Sequence, residues 1–158
     1  MQYRVNELKA VAVTADMLES GQNIMRSQCM TVEHFDYSGS RKRDRNGRTY
    51  EASEPAMLHF SVRVNAADQP QAFYQQLATS AHGAISFLFN ATYSETGRLT
   101  GYDDAMVVEG FIVELHEDFH SAGNADAIEE QMILRACVQV RAITYIRSNE
   151  NKTLYFVK

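Results

Sequence analysis

The pair His116 and His120 comes nearest in this chain to a metal-binding pattern. A His-x3-His spacing puts both imidazoles on one face when the residues are helical. Here His116 ends an apolar, strand-like run, and a segment rich in Gly, Asn and Ala follows it, so we interpret the pair as part of a solvated turn. No third ligand has a recognisable spacing. We therefore predict neither a metal nor any other cofactor.

Two further groups have residue types suited to catalysis but not the required arrangement. Asp103 and Asp104 would point to opposite faces of a strand, whereas a glycosidase needs two carboxyl groups that face each other across a cleft. We interpret Asp103 as a turn residue. Ser80 and His82 lie where a helix is expected to end, and the chain has no nucleophile elbow, phosphate loop or dinucleotide fingerprint. The sequence therefore predicts that the protein is not an enzyme.

The charge distribution is uneven, because a basic block lies in the middle of an acidic chain. The formal net charge is −5. Residues 39–50 hold five basic side chains against one acidic, which leaves 10 basic against 19 acidic in the rest. Opposite fields on one small molecule favour binding to an acidic partner, and an identical copy of the chain qualifies. The five basic residues are Arg41, Lys42, Arg43, Arg45 and Arg48.

Three interpretations of this block are open. It is a solvated surface loop, or a nucleic-acid patch on which the flanking Tyr37 and Tyr50 stack on bases, or a loop that docks on an acidic surface of a neighbouring copy. The acidity of the rest of the chain argues against nucleic acid, because domains that bind it are usually basic. We favour docking between copies. The first candidate partners lie in a predicted acidic loop, residues 117–130, which lacks Lys and Arg: Glu117, Asp118, Asp126, Glu129 and Glu130.

Size and composition predict one domain over residues 1–158, with 45% hydrophobic and 22% charged residues. No stretch approaches the roughly 20 apolar residues that span a bilayer, so we expect no membrane insertion. The start of the chain lacks the apolar run of a signal peptide, so export would require a dedicated machine. Cys29 and Cys137 each lie in a strand-like run, which favours buried free thiols and a reducing compartment over a disulfide.

Apolar and polar residues alternate with a period of two along most of the chain, which predicts strands. Asp68 and Pro70 supply a capping acid and a first-turn proline for the one convincing helix, residues 70–79. The fold class is therefore all-β with one short helix, arranged as a β-barrel or as two packed sheets. The expected strands are residues 10–13, 29–37, 58–64, 84–93, 104–115 and 131–146, with a terminal hairpin strand at 153–157.

The two longest expected strands, residues 104–115 and 131–146, have features of their own. Strands of about 12 to 16 residues reach roughly 40–50 Å at 3.3 Å per residue. Such lengths predict that they bend over two sheets or form the wall of something larger. The run 104–115 is apolar on both faces, and Gly110 within it marks a bulge or a close backbone approach.

The order of elements resembles the Hcp (TssD) tube-protein family of type VI secretion systems, in particular its Bacteroidetes-type branch. The resemblance covers nearly the whole chain, and it lies in layout rather than in a specific signature. The segments that carry it are Phe35-Asp36-Tyr37, Asp44-Arg45-Asn46-Gly47-Arg48, Leu58-His59-Phe60-Ser61-Val62, Phe73-Tyr74-Gln75-Gln76-Leu77, Ile85-Ser86-Phe87, Asp104-Ala105-Met106-Val107-Val108-Glu109-Gly110 and the long final strand.

This resemblance implies a barrel protomer that forms hexameric rings, and the rings stack head to tail into a hollow tube. A sheath drives the tube out of the cell, a spike forms the end of the tube, and effectors travel in its lumen. In such proteins the extended loop contacts neighbouring protomers or the next ring, a role that would fall to the five basic residues. The density of Arg and Lys in this loop departs from the family pattern.

Two alternatives stay open at this stage. Phage tail-tube proteins share the architecture of the secretion tube. A protein of a different class, a monomeric β-barrel that binds a small apolar ligand, would line its interior with Phe60, Phe87, Phe89 and Phe111. A filled core explains the same aromatic residues without a ligand, and we prefer that explanation.

Overall fold

The computed structural model describes residues 7–20, 23–38, 56–65, 68–71, 75, 83–120, 131–147 and 150–155. A short helix, α1 (Ala15–Glu19), and a 3-10 turn (Arg26–Gln28) lie between the first two strands. The strands are β1 (Leu8–Val11), β2 (Met30–Ser38), β3 (Ala56–Val64), β4 (Gly83–Phe89), β5 (Thr92–Tyr93), β6 (Leu99–Gly101), β7 (Asp104–His120), β8 (Gln131–Arg147) and β9 (Glu150–Tyr155).

Six antiparallel strands close into a barrel in the order β3-β2-β1-β4-β7-β8, because β3 also pairs with β8. Closure of the sheet satisfies backbone groups that a free edge would expose. β9 extends the sheet from β8, and β5 and β6 form a separate two-stranded hairpin. The all-β, barrel-type fold class predicted from alternation is confirmed.

The two longest strands belong to two parts of the sheet. The first half of β7 pairs with β4, and the second half of β8 pairs with β9. The second half of β7 pairs with the first half of β8, which in turn pairs with β3. Register shifts fall near the change-over, between Glu109 and Gly110 and between Ile112 and Glu114. A bulge adds one unpaired residue and bends the strand. Both long strands belong to the one seven-stranded sheet, and the bulges lie where their partners change, so bending over two sheets stays a prediction.

The barrel interior is a continuous apolar core. Inward-facing residues from all six strands form one buried cluster, in which Phe87 lies at the centre and is fully buried. Its ring meets those of Phe35 and Phe60 edge to face, with centroids 5.0 and 5.3 Å away. Edge-to-face pairs of this kind add to the stabilisation that burial provides.

A second apolar cluster lies outside the barrel wall. Alternate residues of β7, such as Ala105 and Val107, face outward and pack against Leu18 of α1 and Ile24. The buried hydroxyl of Ser86 in β4 donates a hydrogen bond of 2.8 Å to the carbonyl oxygen of Val13. This outer layer explains why residues 104–108 are apolar on both faces.

Gly110 lies in β7 at a close approach to the backbone of β8. A Cβ atom at this position would overlap the carbonyl oxygen of Gln139 and crowd Val138. The adjacent register shift makes this both a bulge and a close backbone approach, as the sequence predicts.

Most strand predictions hold, with three corrections, the first of which is that β9 begins at Glu150, three residues before the predicted start of the terminal strand. β2, β3 and β8 begin and end within two residues of the predicted bounds. The strand predicted for residues 84–93 is broken at Asn90, whose φ is 56°. Ala91 consequently packs against the outer cluster instead of the interior. β7 continues to His120, so the loop predicted to begin at Glu117 begins no earlier than residue 121.

The helical predictions have a mixed outcome. The helix expected at residues 70–79 lies mostly outside the described residues, although Gln71 and Gln75 are both helical. The sequence pattern did not indicate α1. Thr14 caps this helix by accepting a 3.2 Å hydrogen bond from the backbone N–H of Met17. Its five residues are too few for a helical period to show in the sequence.

Candidate assembly surfaces

Two of the ten residues proposed for contacts between copies lie in the described structure. Glu117 and Asp118 belong to the second half of β7, and both were expected in a loop. The strand gives them fixed and opposite directions, because successive side chains alternate between the two faces. The other eight lie outside the described residues: Arg41, Lys42, Arg43, Arg45, Arg48, Asp126, Glu129 and Glu130.

Asp118 is already engaged by neighbours in its own chain. One carboxylate oxygen lies 3.0 Å from Nε2 of His116, and the other lies 3.3 Å from a guanidinium nitrogen of Arg135. Glu117 is exposed and lies opposite Leu134 in the β7–β8 ladder. Of the two, Glu117 is the carboxylate that is better placed to meet a cation of another copy.

The candidate chemical groups that the structure describes lie apart from one another. His116 and His120 lie on one extended strand rather than in the predicted turn, so about 13 Å of backbone separates them. Asp103 accepts a 2.9 Å hydrogen bond from the side chain of Asn90, in a turn as predicted, while Asp104 pairs with Arg147 at 3.4 Å. Within the described ranges, no three His, Cys, Asp or Glu side chains are grouped to hold a metal ion. Ser80 and His82 are outside those ranges.

A groove of about 610 Å³ lies on the outer face of β2, β3, β8 and β7. The strand register places His34, Ser61, Arg135 and His116 in one row across these strands. His59, Cys137 and Glu114 form the next row. The groove is lined by both polar and apolar side chains and carries three imidazoles, a feature that sequence reasoning missed because its members are far apart in the chain.

The thiol in this groove is not set up as a nucleophile. Sγ of Cys137 lies 3.7 Å from Nε2 of His59. Burial, and then the nearby charge of Glu114, raise the pKa of the Cys137 thiol. A raised pKa disfavours the thiolate that nucleophilic chemistry requires. Cys29 and Cys137 are both free and buried, as the sequence predicts.

The second half of β7 also exposes apolar side chains. Phe111, Val113 and Leu115 are exposed by 38%, 52% and 39% respectively. Val113 is the extra residue of a bulge, so Phe111 and Leu115 lie on opposite faces of the strand. The run of apolar residues in the sequence suggested burial here, whereas the structure places these side chains at the surface, where they suit contact with another protein.

The barrel interior is filled by the protein's own side chains. Phe60 and Phe87 belong to the core cluster, and Phe89 packs against it. Phe111 lies on the outer face, so the expectation that all four phenylalanines line one interior is wrong for this residue. The preferred explanation of a filled core is confirmed, which argues against the ligand-binding barrel.

No helix in the described part of the chain is long and apolar enough to cross a membrane.

Comparison with known proteins gives a structural match without a sequence match. No protein-family model and no curated protein matches the sequence. A crystal structure of an Hcp protein aligns with a TM-score of 0.56 and 8% identity over 96% of each chain. A mutant of Hcp1 from E. coli EAEC 042 aligns with a TM-score of 0.52 and 11% identity, over 95% of this chain and 99% of that one. Hcp1 from Flavobacterium johnsoniae aligns with a TM-score of 0.49 and 9% identity, over 92% and 97%.

The first two alignments cover nearly all of both chains at low sequence identity. The protein has the fold of the Hcp proteins.

Proposed function

We propose that the protein is a structural subunit of a type VI secretion inner tube. The observation that carries the proposal is the alignment of a six-stranded barrel with an Hcp structure over 96% of both chains. In this role the chain forms hexameric rings that stack head to tail into a hollow tube. Its partners are further copies of itself, the sheath and spike of the secretion system, and the effectors that the tube carries.

The same role predicts no enzymatic activity, no cofactor and no binding to nucleic acid or membrane. The protomers assemble in the cytoplasm, and the secretion machine exports the tube. The chemistry of the described residues supports this proposal. The thiol of Cys137 has a raised pKa, and the carboxylates of Asp103 and Asp104 are engaged separately.

We propose that two kinds of contact join the copies. The exposed apolar side chains of β7, Phe111, Val113 and Leu115, contribute to a protomer interface. The basic block (Arg41, Lys42, Arg43, Arg45, Arg48) docks on the acidic residues Glu117, Asp118, Asp126, Glu129 and Glu130 of another copy. Glu117 contributes more than Asp118, because Asp118 already pairs with Arg135 and lies within hydrogen-bond distance of His116 in its own chain.

Sedimentation velocity and native mass spectrometry of the purified protein test the ring. We expect a species several times the 17.9 kDa of one chain, with six copies as the closed form. A symmetric ring has a fixed stoichiometry, so its mass does not grow continuously with concentration. A clean monomer at high concentration would contradict the proposal.

A further inference from the structure

A second groove, of about 530 Å³, lies beside β1, the 3-10 turn and β5. It shares no lining residue with the histidine-lined groove. Its lining includes the cations Lys9 and Arg26, the hydroxyl-bearing residues Thr92, Tyr93 and Ser94, and the exposed carboxylate of Glu7.

The two cations have no carboxylate partner among the described residues. Nζ of Lys9 donates a 2.8 Å hydrogen bond to the hydroxyl of Thr31, which is neutral. The guanidinium of Arg26 lies over the ring of Tyr93, 5.5 Å from its centroid. Neither takes part in the salt bridges found in the described structure. Burial, and then the charge of Arg26, lower the pKa of Lys9, so the two cations are close enough to repel each other.

The hydroxyl of Tyr93 adds a buried donor to this site. It is inaccessible to solvent, makes no hydrogen bond to an oxygen or nitrogen atom in the described structure, and has the thiol of Cys29 as its hydrogen-bonding neighbour. Burial, and then the neighbouring Cys29, raise the pKa of Tyr93, so the hydroxyl keeps its proton and can donate it to an acceptor. A thiol is a weak acceptor, and an unsatisfied buried donor is unusual in a folded protein.

The backbone around the groove is held in place by hydrogen bonds within the chain. The backbone N–H of Arg26 donates to the carbonyl oxygen of Gly97 at 2.7 Å, and that of Gln69 donates to Ser27 at 2.7 Å. Lys9 lies in β1, which pairs with β2 on one side and β4 on the other. A site whose groups are already ordered loses little conformational entropy on binding.

We propose that this groove binds an oxyanion, a carboxylate or a phosphate group, between Lys9 and Arg26. The anion relieves the repulsion between the two cations and offers an acceptor near the Tyr93 hydroxyl. The charge of Asp68 raises the pKa of Lys9, but this effect is smaller than the lowering by Arg26. The oxyanion is either a free ion or an acidic side chain of a second copy of this chain, whose net charge is −5. The inference does not depend on the tube proposal.

Titration with inorganic phosphate, and separately with acetate, tests for the free ion. Amide shifts are followed by NMR while sodium chloride keeps the ionic strength constant. We expect saturable shifts centred on Lys9, Arg26 and residues 92–94. Lys9→Gln and Arg26→Gln should each weaken binding by about tenfold or more, as for a lost hydrogen bond to a charged group. Arg141→Gln, the same charge change at an exposed position of β8, should leave binding unchanged.

Sedimentation equilibrium with and without phosphate tests for the side chain of a second copy. If that carboxylate occupies the site, phosphate competes with it and weakens self-association in the wild type, but not in Lys9→Gln. Tyr93→Phe should weaken binding in whichever arm responds, without lowering the melting temperature of the free protein. The proposal fails if neither arm responds, if Arg141→Gln has the same effect as the site variants, or if Tyr93→Phe destabilises the free protein.

Discussion

Tyr93 makes the stability of this protein sensitive to alkaline pH. Burial, and then Cys29, raise its pKa above the ordinary value of 10.0. As the pH rises through about 10, a tyrosine in the unfolded chain loses its proton, whereas folded Tyr93 keeps it. Between the two pKa values the folded state binds more protons, so the free energy of unfolding falls as the pH rises.

We therefore expect Tyr93→Phe to flatten the loss of stability above about pH 10, because phenylalanine has no proton to lose. Urea denaturation at about pH 8 and about pH 11 measures the difference for wild type and variant. Tyr145→Phe, at an exposed tyrosine of β8, is the matched control. Equal alkaline losses in wild type and Tyr93→Phe would contradict the prediction.

Gly110 is a residue where one added methyl group should matter. Its Cβ would overlap the Gln139 carbonyl oxygen, which belongs to a strand paired on both sides and has little freedom to move. We expect Gly110→Ala to lower the free energy of unfolding by about 1–3 kcal/mol, as overpacking generally does. Chemical denaturation measures this loss.

Gly101→Ala is the matched control for Gly110→Ala. A Cβ at Gly101 would meet only Oγ1 of Thr92, at an ordinary distance of 3.4 Å. Its effect should stay within about 0.5 kcal/mol, as for most surface changes. If the two variants lose the same stability, the close approach of β7 and β8 is not the cause.

At the scale of elements, alternation predicts strands well and predicts their ends less well. β2 and β3 were predictable because each has one dry face. The extension of β7 was not, because Glu114, His116 and Glu117 have the polarity of a loop while their backbone pairs with β8. The histidine-lined groove was also hidden, since its register across four strands is a tertiary property. For the basic block, the sequence indicates a concentration of positive charge. The block lies outside the described residues, so its contacts with another copy stay a prediction.

The pairing pattern predicts a hierarchy of local stability. Residues 132–140 of β8 are paired with β7 on one side and β3 on the other, whereas β5 and β6 form a separate two-stranded hairpin that is tied to Ile24 and Met25 by isolated backbone contacts. We expect amides in the first segment to exchange only on global unfolding, and amides in the hairpin to exchange faster through local opening. Hydrogen exchange followed by NMR measures both. Equal protection in the two segments would show that the hairpin does not open separately.

At the scale of the whole molecule, assembly is expected to depend on opposite charges, while folding depends on apolar strand faces. Exposed ion pairs contribute about 0–1 kcal/mol each, and salt shortens the Debye length to about 3 Å at 1 M. We expect Arg41→Glu, Arg43→Glu and Arg45→Glu together to impair ring stacking and leave the melting temperature nearly unchanged.

Electron microscopy in low and high salt, with a thermal melt of each sample, measures stacking and stability separately. High salt should reproduce the loss of stacking in the wild type. Gln at the same three positions is the intermediate control, because it removes the charge without reversing it. If the Glu variant stacks as well as wild type in low salt, the basic block is only a solvated loop.

The bulge at Val113 has a consequence for how such a surface evolves. Because Val113 is extra, Glu114 pairs with Cys137, and Glu114, His116 and Asp118 all face outward. Had Val113 paired with Cys137 instead, each later side chain of β7 would have turned to the other face. One residue thus sets the phase of the strand. Moving that extra residue along β7 would change which side chains of the second half of the strand face outward, without altering the sequence of the barrel core.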